Sequence, residues 1–344
     1  DQAEIGLVAL LDRLGRSAAL TFSVAAMAIP TFLVGILPGH ETLGIAAPIL
    51  LTLLRMVQGL SVGGEYTTSV VFMVEHAPPK GRGLVGAVGV CGAAVGILGG
   101  SATGAALAAV MSDADLENWG WRIPFILGLV VGLAGFVLRR GIEETPPSRK
   151  ATRSPIMEVF LNHRPVLLRV MALSLFNGIG FYLAFVYLVS WLQLVDGVAP
   201  AHALGINTVT MALLPLVMLS SGWLSDRIGR RPVMLAAAVV AVVAAWPLLR
   251  LMHSPDPAIE LLGQLGIMAF VGVYIGCQPT FMVESAPASV RCSLIAIGFN
   301  VTVGFAGGLT PLVATWLVER TANDYSPAFL VMAAAAVAIP TVLS

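Results

Sequence analysis

Gly222-Trp223-Leu224-Ser225-Asp226-Arg227-Ile228-Gly229-Arg230-Arg231 is the stretch on which the reading of this chain turns. It places one acid, three arginines and a turn-forming glycine between two uncharged runs, residues 203–225 and 232–249. Each run is long enough for a helix to cross a bilayer core of roughly 30 Å. A charged link this short between two such runs is a tight hairpin of membrane spans.

Six further runs carry no Asp, Glu, Lys or Arg: 18–37, 83–112, 170–195, 261–283, 292–318 and 325–344. Residues 123–138 are uncharged but short, with Trp119 and Trp121 placed as interface anchors. Residues 45–75 are apolar but interrupted by Arg55 and Glu65. The expectation is therefore ten spans in an all-α integral membrane protein. Composition agrees. The 344 residues are 57% hydrophobic and 11% charged, with a mean hydropathy of +0.89, and a water-facing surface needs about a quarter charged residues. The net charge is zero, which gives no reason to expect a nucleic-acid partner.

Ten spans alternate the connections between two sides. One side collects 15 Lys and Arg, the other holds only Arg122, Arg250 and Arg320, and Arg55 lies within a span. The basic side is expected to be cytoplasmic, including the segment 139–165. Cys91, Cys277 and Cys292 sit in or beside apolar runs and read as small packing residues. Neither the cysteines nor the five histidines show metal-ligand spacing. No nucleophile–base pattern lies near a span end, so no enzyme, cofactor or metal is expected, and no obligate protein partner is evident. The expected partners are the lipid bilayer and a small-molecule substrate.

The chain repeats. Asp12-Arg13-Leu14-Gly15-Arg16 recurs as Asp226-Arg227-Ile228-Gly229-Arg230, 214 residues later. Met73-Val74-Glu75-His76-Ala77-Pro78, followed by Arg82, recurs 209 residues later as Met282-Val283-Glu284-Ser285-Ala286-Pro287, followed by Arg291. Two motifs in the same order and nearly the same register mean two related halves in parallel orientation. The expected division is 1–140, a cytoplasmic linker 141–165, and 166–344. Two spans precede the motif in the second half, against eleven residues in the first. The repeat thus predicts about twelve spans in a complete protein, with the first and most of the second upstream of Asp1 and the last cut short.

The Gly222–Arg231 stretch matches the GxxxDRxGRR signature, and here the chain resembles the major facilitator superfamily. Arg55-Met56-Val57-Gln58-Gly59-Leu60-Ser61-Val62-Gly63-Gly64-Glu65-Tyr66, Gly120-Trp121-Arg122-Ile123-Pro124-Phe125 and Glu143-Glu144-Thr145-Pro146 resemble its metabolite:proton symporters. Gly63-Gly64-Glu65-Tyr66-Thr67, Phe299-Asn300 and Gly308-Leu309-Thr310-Pro311 look like its carriers of proline and betaine. Citrate and oxoglutarate carriers share parts of the pattern. The resemblance implies two six-helix halves and uptake of a small polar metabolite by alternating access, with the proton as coupling ion, in a bacterial inner membrane. A zwitterionic osmolyte such as proline or glycine betaine is the first expectation. An organic-acid symporter, or a facilitator or exporter on the same fold, is the alternative. The first signature copy departs from the pattern, with Val8 for the leading glycine and Ser17 for a basic residue.

The resemblance also implies that the DRxGR turns latch the two halves on the cytoplasmic side. The expected latch comprises Asp12, Arg13, Gly15, Arg16, Glu75, Arg82, Gly222, Asp226, Arg227, Gly229, Arg230, Arg231, Glu284 and Arg291. Glu75 and Glu284 are the expected partners of Arg13/Arg16 and Arg227/Arg230. The alternative is that these charges only fix orientation.

In 45–75, Arg55, Gln58, Glu65, Tyr66 and Ser69 fall within an arc of about 100°. A charge at the bilayer centre costs about 2.5–3.5 kcal/mol on insertion scales, so this stripe is expected to face a cavity or another helix. Arg55 and Glu65 are about 15 Å apart along the axis and do not pair with each other. Arg55 is a candidate for substrate or proton binding, and Glu65 for a titratable carboxyl. A static interhelical charge network is the competing reading. Asn177, Tyr182, Tyr187 and Asn300 are candidate pocket residues of the second half, with Gln278 beside Pro279 a weaker one. Gly178, Gly180 and the Gly307-Gly308/Pro311 break are candidate bends. Gly92, Gly96, Gly99 and Gly100 read as a close-packing face.

Overall fold

The computed structural model describes residues 16–139 and 155–344, without the side chains of 16–23, 60, 62–65 and a few further positions. Asp12, Arg13, Gly15 and most of the linker lie outside the described residues, as do the side chains of Arg16 and Glu65. Ten long helices appear among the described residues, one for each expected span. They are α1 (Arg16–Ile36), α2 (Ala46–His76), α3 (Arg82–Val110), α4 (Ile123–Arg139), α5 (Arg164–Leu194), α6 (Pro200–Ile228), α7 (Arg230–Met252), α8 (Pro257–Ser285), α9 (Arg291–Thr321) and α10 (Pro327–Leu343). Seven helical stretches are long and apolar enough to cross a membrane, and α1, α2 and α10 carry shorter apolar stretches.

The helices start and stop where local chemistry dictates. Proline opens α6, α8 and α10, at a position whose N–H has no helical partner. Asp256 caps α8 by accepting the amide of Ala258 at 2.9 Å. Gly229 separates α6 from α7 at φ +96°, a conformation a side chain would strain. Two helices are not regular throughout. α5 carries a π-helical turn at Leu183–Tyr187, and α9 one at Val303–Gly307. Both lie beside the glycines expected to permit bending. π-turns insert one residue into the helical ladder and recur at functional sites.

The chain packs as two compact units. The first contains residues 1–66 and 99–152, the second 67–98 and 153–344, so α2 and α3 each pass from one unit into the other. In the first unit α1 and α4 meet along small residues. A Cβ on Gly132 would collide with the Ala28 side chain, and one on Gly128 would stand 2.6 Å from Thr31. Without a hydrophobic force between helices in lipid, such close approach is what dispersion needs. In the second unit α8 is the central helix, with residues 267–283 buried almost throughout. Its Gly263 lies against the Leu248 carbonyl, and its Gly276 against the backbone of Met218.

On α3 the close approaches fall at Gly83, Gly86 and Gly89, whereas a Cβ at Gly92, Gly96, Gly99 or Gly100 would meet nothing within 4 Å. The small-residue face expected from sequence therefore sits one to three turns earlier, where α6, α8 and the end of α2 reach α3. Large apolar side chains stand exposed, among them Val131, Val243, Phe305 and Leu312. That pattern suits a hydrocarbon solvent and not water.

Candidate functional site

Polar residues gather at four places, one in the first unit and three in the second. In the first unit, Gln58 is buried on α2 and donates to Thr31 Oγ1 on α1 at 2.6 Å. Its amide oxygen accepts from Arg55 Nη1 at 3.3 Å, one turn away. The Arg55 guanidinium also lies over the Phe125 ring of α4, 5.7 Å from its centroid. Arg55 and Gln58, expected to share a face, are thus brought together, and Thr31 and Phe125 complete the cluster. Tyr66 is half-buried further along α2. Arg122 donates to the carbonyls of Gly35 and Leu37, at 3.4 and 2.5 Å, and so satisfies the C-terminal end of α1. Thr31 gave no sequence signal, because a lone threonine in an apolar span commonly bonds only its own helix.

In the core of the second unit, Asn177 on α5 donates to Gln278 Oε1 on α8, and both are buried. Ser174, one turn earlier on α5, is buried beside them and bonds the Val170 carbonyl. Gly178 and Gly307 let α5 and α9 cross closely. A Cβ on Gly178 would stand 3.2 Å from the Val303 Cα, and one on Gly307 would strike the Tyr182 ring at 2.7 Å. Tyr187 is buried in the α5 π-turn, and Asn300 is half-buried just before the α9 π-turn. Of the sequence-expected pocket residues, Tyr187 thus lies in the α5 π-turn, Tyr182 and Asn300 lie just before the two π-turns, and Asn177 pairs with Gln278.

The third cluster surrounds the signature turn. Asp226 accepts the backbone amides of Gly83 at 2.8 Å and Leu84 at 2.9 Å, capping the N-terminus of α3. The same carboxylate pairs with Arg230 Nη1 at 2.7 Å, and Arg230 Nη2 reaches Glu284 at 3.3 Å. Arg230 also donates to Ser225 Oγ. Glu75 at the end of α2 pairs with Arg291 at the start of α9. Thr280 donates to the Arg82 carbonyl at 3.0 Å. Gly222 and Gly83 are the contact point, since a Cβ on either would stand 2.5 Å from the other's carbonyl oxygen. Arg227 does not join Glu284 and instead lies over the Trp223 ring, 3.7 Å from its centroid. Arg231 is exposed at the start of α7. Of the expected latch residues, Asp226, Arg230, Glu284 and Gly222 meet at the start of α3 beside the Arg82 carbonyl, while Glu75 and Arg291 pair with each other and the Arg82 Nε makes no hydrogen bond among the described residues.

The fourth cluster lies at the other end of α6 and α8, and sequence reading missed it. Asp196, in the α5–α6 connection, pairs with His253 at the end of α7. Burial pushes the Asp196 carboxyl up from its ordinary range, while His253 pulls it the other way. Trp191 donates to the Asp324 carbonyl at 2.9 Å, and Tyr325 stacks edge-on against His253. His202 and Glu260 form a second imidazole–carboxylate pair at 2.8 Å. Each pair is 57 or 58 residues apart in sequence, so no local spacing announces it.

Known proteins resemble this chain throughout. The pattern of the Major Facilitator Superfamily matches residues 5–311. The glycine betaine/proline/ectoine/pipecolic acid transporter OusA of Dickeya dadantii is 33% identical over 348 residues, covering 97% of this chain and 69% of that protein. The proline/betaine transporter of Escherichia coli K12 is 31% identical over 345 residues, covering 96% and 69%. The solved proton:xylose symporter XylE superposes with a TM-score of 0.76 at 15% identity, over 96% of this chain and 79% of that one. The E. coli fucose:proton symporter FucP gives 0.69 at 15% identity, over 95% and 83%. The twice-copied motifs, the ten long helices and these likenesses lead to one conclusion: the chain belongs to the Major Facilitator Superfamily and is a multi-pass membrane transporter, not an enzyme.

Proposed function

We propose that this protein is a proton-coupled symporter that takes up a small zwitterionic osmolyte, proline or a betaine, across a bacterial inner membrane. The observation that carries the substrate class is the identity above 30% to two carriers named for betaine and proline, along nearly the whole chain. The polar chemistry supports it. Arg55, held by Gln58 and Phe125, offers a fixed cation to a carboxylate. Tyr66 in the first unit and Tyr182 in the second, both half-buried, are the candidate aromatic faces for a quaternary ammonium. The buried Asn177–Gln278 pair and the half-buried Asn300 are the polar candidates of the second unit, and Glu65 is a titratable carboxyl on the Arg55 helix.

The cluster about Asp226 is the latch that closes the cytoplasmic side. Asp226, Arg230 and Glu284, with Glu75 and Arg291, tie α2 and α3 to α6, α8 and α9. Breaking these contacts opens the carrier inward, and Asp12, Arg13, Gly15 and Arg16 are the first-half copy of the same sequence motif. Alternating access then proceeds by motion of the repeats about a site near the bilayer midplane.

The test is transport by the purified protein in proteoliposomes. Labelled glycine betaine or proline is expected to exchange in counterflow and to accumulate under an inward proton gradient, and a protonophore abolishes the accumulation. Counterflow with citrate or oxoglutarate in their place would reassign the substrate. Accumulation indifferent to the protonophore would remove the proton coupling.

A further inference from the structure

Glu260 lies in the first turn of α8 and is 3% exposed. Its Oε2 stands 2.8 Å from His202 Nε2, and the imidazole is more than a third exposed, with 37% of its side chain open. Its Oε1 is buried and accepts no hydrogen bond among the described residues. One turn along the same helix face is Gln264, 1% exposed, whose Oε1 is also buried and unpartnered. The Gln264 amide nitrogen is turned away. It donates to the Ala184 carbonyl at 3.2 Å, with Asn207 Oδ1 at 3.3 Å and Thr210 Oγ1 at 3.4 Å. Ala184 belongs to the π-turn of α5.

Two buried acceptor oxygens thus sit a turn apart with no donor between them. Neither a carboxylate nor an amide oxygen can donate, but a carboxylic acid can. One proton on Glu260 supplies the missing donor. Other charged groups at this end are Asp256 one turn earlier at the cap of α8, Asp196 with its partner His253, Asp324, Arg250 beside Trp246, and Glu319 and Arg320 at the end of α9. We propose that Glu260, reached through His202, is a binding site for the transported proton, a role that rests on the symport reading above. An imidazolium at His202 gives up its Nε2 proton, so that an N–H bond breaks and an O–H bond forms on Glu260. The neutral ring is then free to take the next proton from water. The new O–H is on Oε2, the oxygen facing His202. A half-turn of the carboxyl brings it toward the unpartnered Gln264 Oε1 one turn along α8, and the Gln264 amide nitrogen holds the π-turn carbonyl of Ala184. The proton on Glu260 is thereby linked to the π-turn of α5.

The experiment uses the whole protein in proteoliposomes, with glycine betaine as the probe. Glu260→Gln keeps the size of the side chain and fixes it in the neutral, donor-bearing form. The expected result is retained counterflow, which needs no net proton movement, with loss of gradient-driven accumulation and of the pH dependence of exchange. His202→Gln is expected to keep accumulation but slow it and shift its pH profile. Accumulation by Glu260→Gln with the wild-type pH profile would overturn the proposal. Loss of counterflow together with accumulation would do the same, by making Glu260 a structural residue. If the wild-type protein itself moves no protons, the symport reading fails, and the proton site falls with it.

Discussion

The carboxylate of Asp226 accepts the backbone amide of Gly83 at 2.8 Å across 143 positions of sequence. Its second oxygen takes the amide of Leu84, so one side chain caps a helix from a distant part of the chain. A carboxylate at a helix N-terminus is stabilised both by orphan N–H groups and by the helix dipole. Gly83 and Gly222 make the approach possible, because neither carries a Cβ to hold the backbones apart. Arg230 balances the charge and extends the contact to Glu284.

Replacing Asp226 with Asn tests this arrangement. An amide offers one acceptor where two backbone donors wait, and its NH2 faces the second N–H. The variant also leaves Arg230, whose side chain is 12% exposed, with only Glu284 as a charged partner. The expected cost is about 2–4 kcal/mol, read as a lower melting temperature in detergent. Cys277 is a native reporter, since its buried thiol lies 3.6 Å from the Arg230 carbonyl. In a background carrying Cys91→Ser and Cys292→Ser, Asp226→Asn is expected to speed maleimide labelling of Cys277. Unchanged labelling and stability would show that the cap contributes nothing.

Glu75 and Arg291 should respond unequally to removal. Their carboxylate–guanidinium pair is partly exposed, with Glu75 40% open, and such pairs are worth about 0–1 kcal/mol. Arg291 does more than pair. Its Nε and Nη2 donate to the Ala286 carbonyl at 3.1 and 2.9 Å and satisfy the end of α8. Arg291→Ala is therefore expected to destabilise the protein more than Glu75→Ala. Exchanging the two charges is expected to recover only part of the loss. Equal effects in a double-mutant cycle would assign Arg291 no role beyond the pair.

The fold was legible in the chain because membrane spans are read from length and charge, which need no knowledge of tertiary contacts. All ten expected spans became helices, and Gly229 took the positive φ that the DRxGRR turn demanded. The Arg55–Gln58 relation was legible too, because three residues on a helix fix a shared face. Contacts between helices were not. Arg227 stacks on Trp223, four residues before it, instead of reaching Glu284. The glycines that matter on α3 are those at its start, which only the positions of α6 and α8 reveal. His202 with Glu260 and Asp196 with His253 meet across loops, and polar residues at span ends carry no periodic signature.

Asp196 gives a pH prediction outside the spans. Burial raises its carboxyl above the ordinary aspartate value, and His253 offsets only part of that. A raised acid binds its proton more tightly in the folded state than in the unfolded one. Its contribution to stability is therefore fully present below the unfolded value and is lost as pH rises through the folded one. The Asp196→Asn variant, which cannot ionise, lacks that loss. Melting temperatures from about pH 4 to about pH 7 are expected to show the wild type losing ground to Asp196→Asn across the interval. A difference that stays constant with pH would mean that the Asp196 carboxyl titrates alike in both states.

Arg55 separates charge from geometry. Lysine keeps the charge but loses the planar fork that can hold Gln58 Oε1 while lying over Phe125. If the guanidinium binds a substrate carboxylate in two-pronged fashion, Arg55→Lys weakens uptake sharply, and Arg55→Ala abolishes it with insertion into the membrane intact. Gln58→Ala removes the bridge to Thr31, leaving Arg55 its charge but not its fixed position. Its expected effect is a raised KM with maximal rate largely kept, because positioning is lost while the cation remains. Uptake kinetics across the three variants, at matched protein levels in the membrane, distinguish the cases. Normal transport by Arg55→Ala would remove this residue from the mechanism and leave its cluster as packing between α1, α2 and α4.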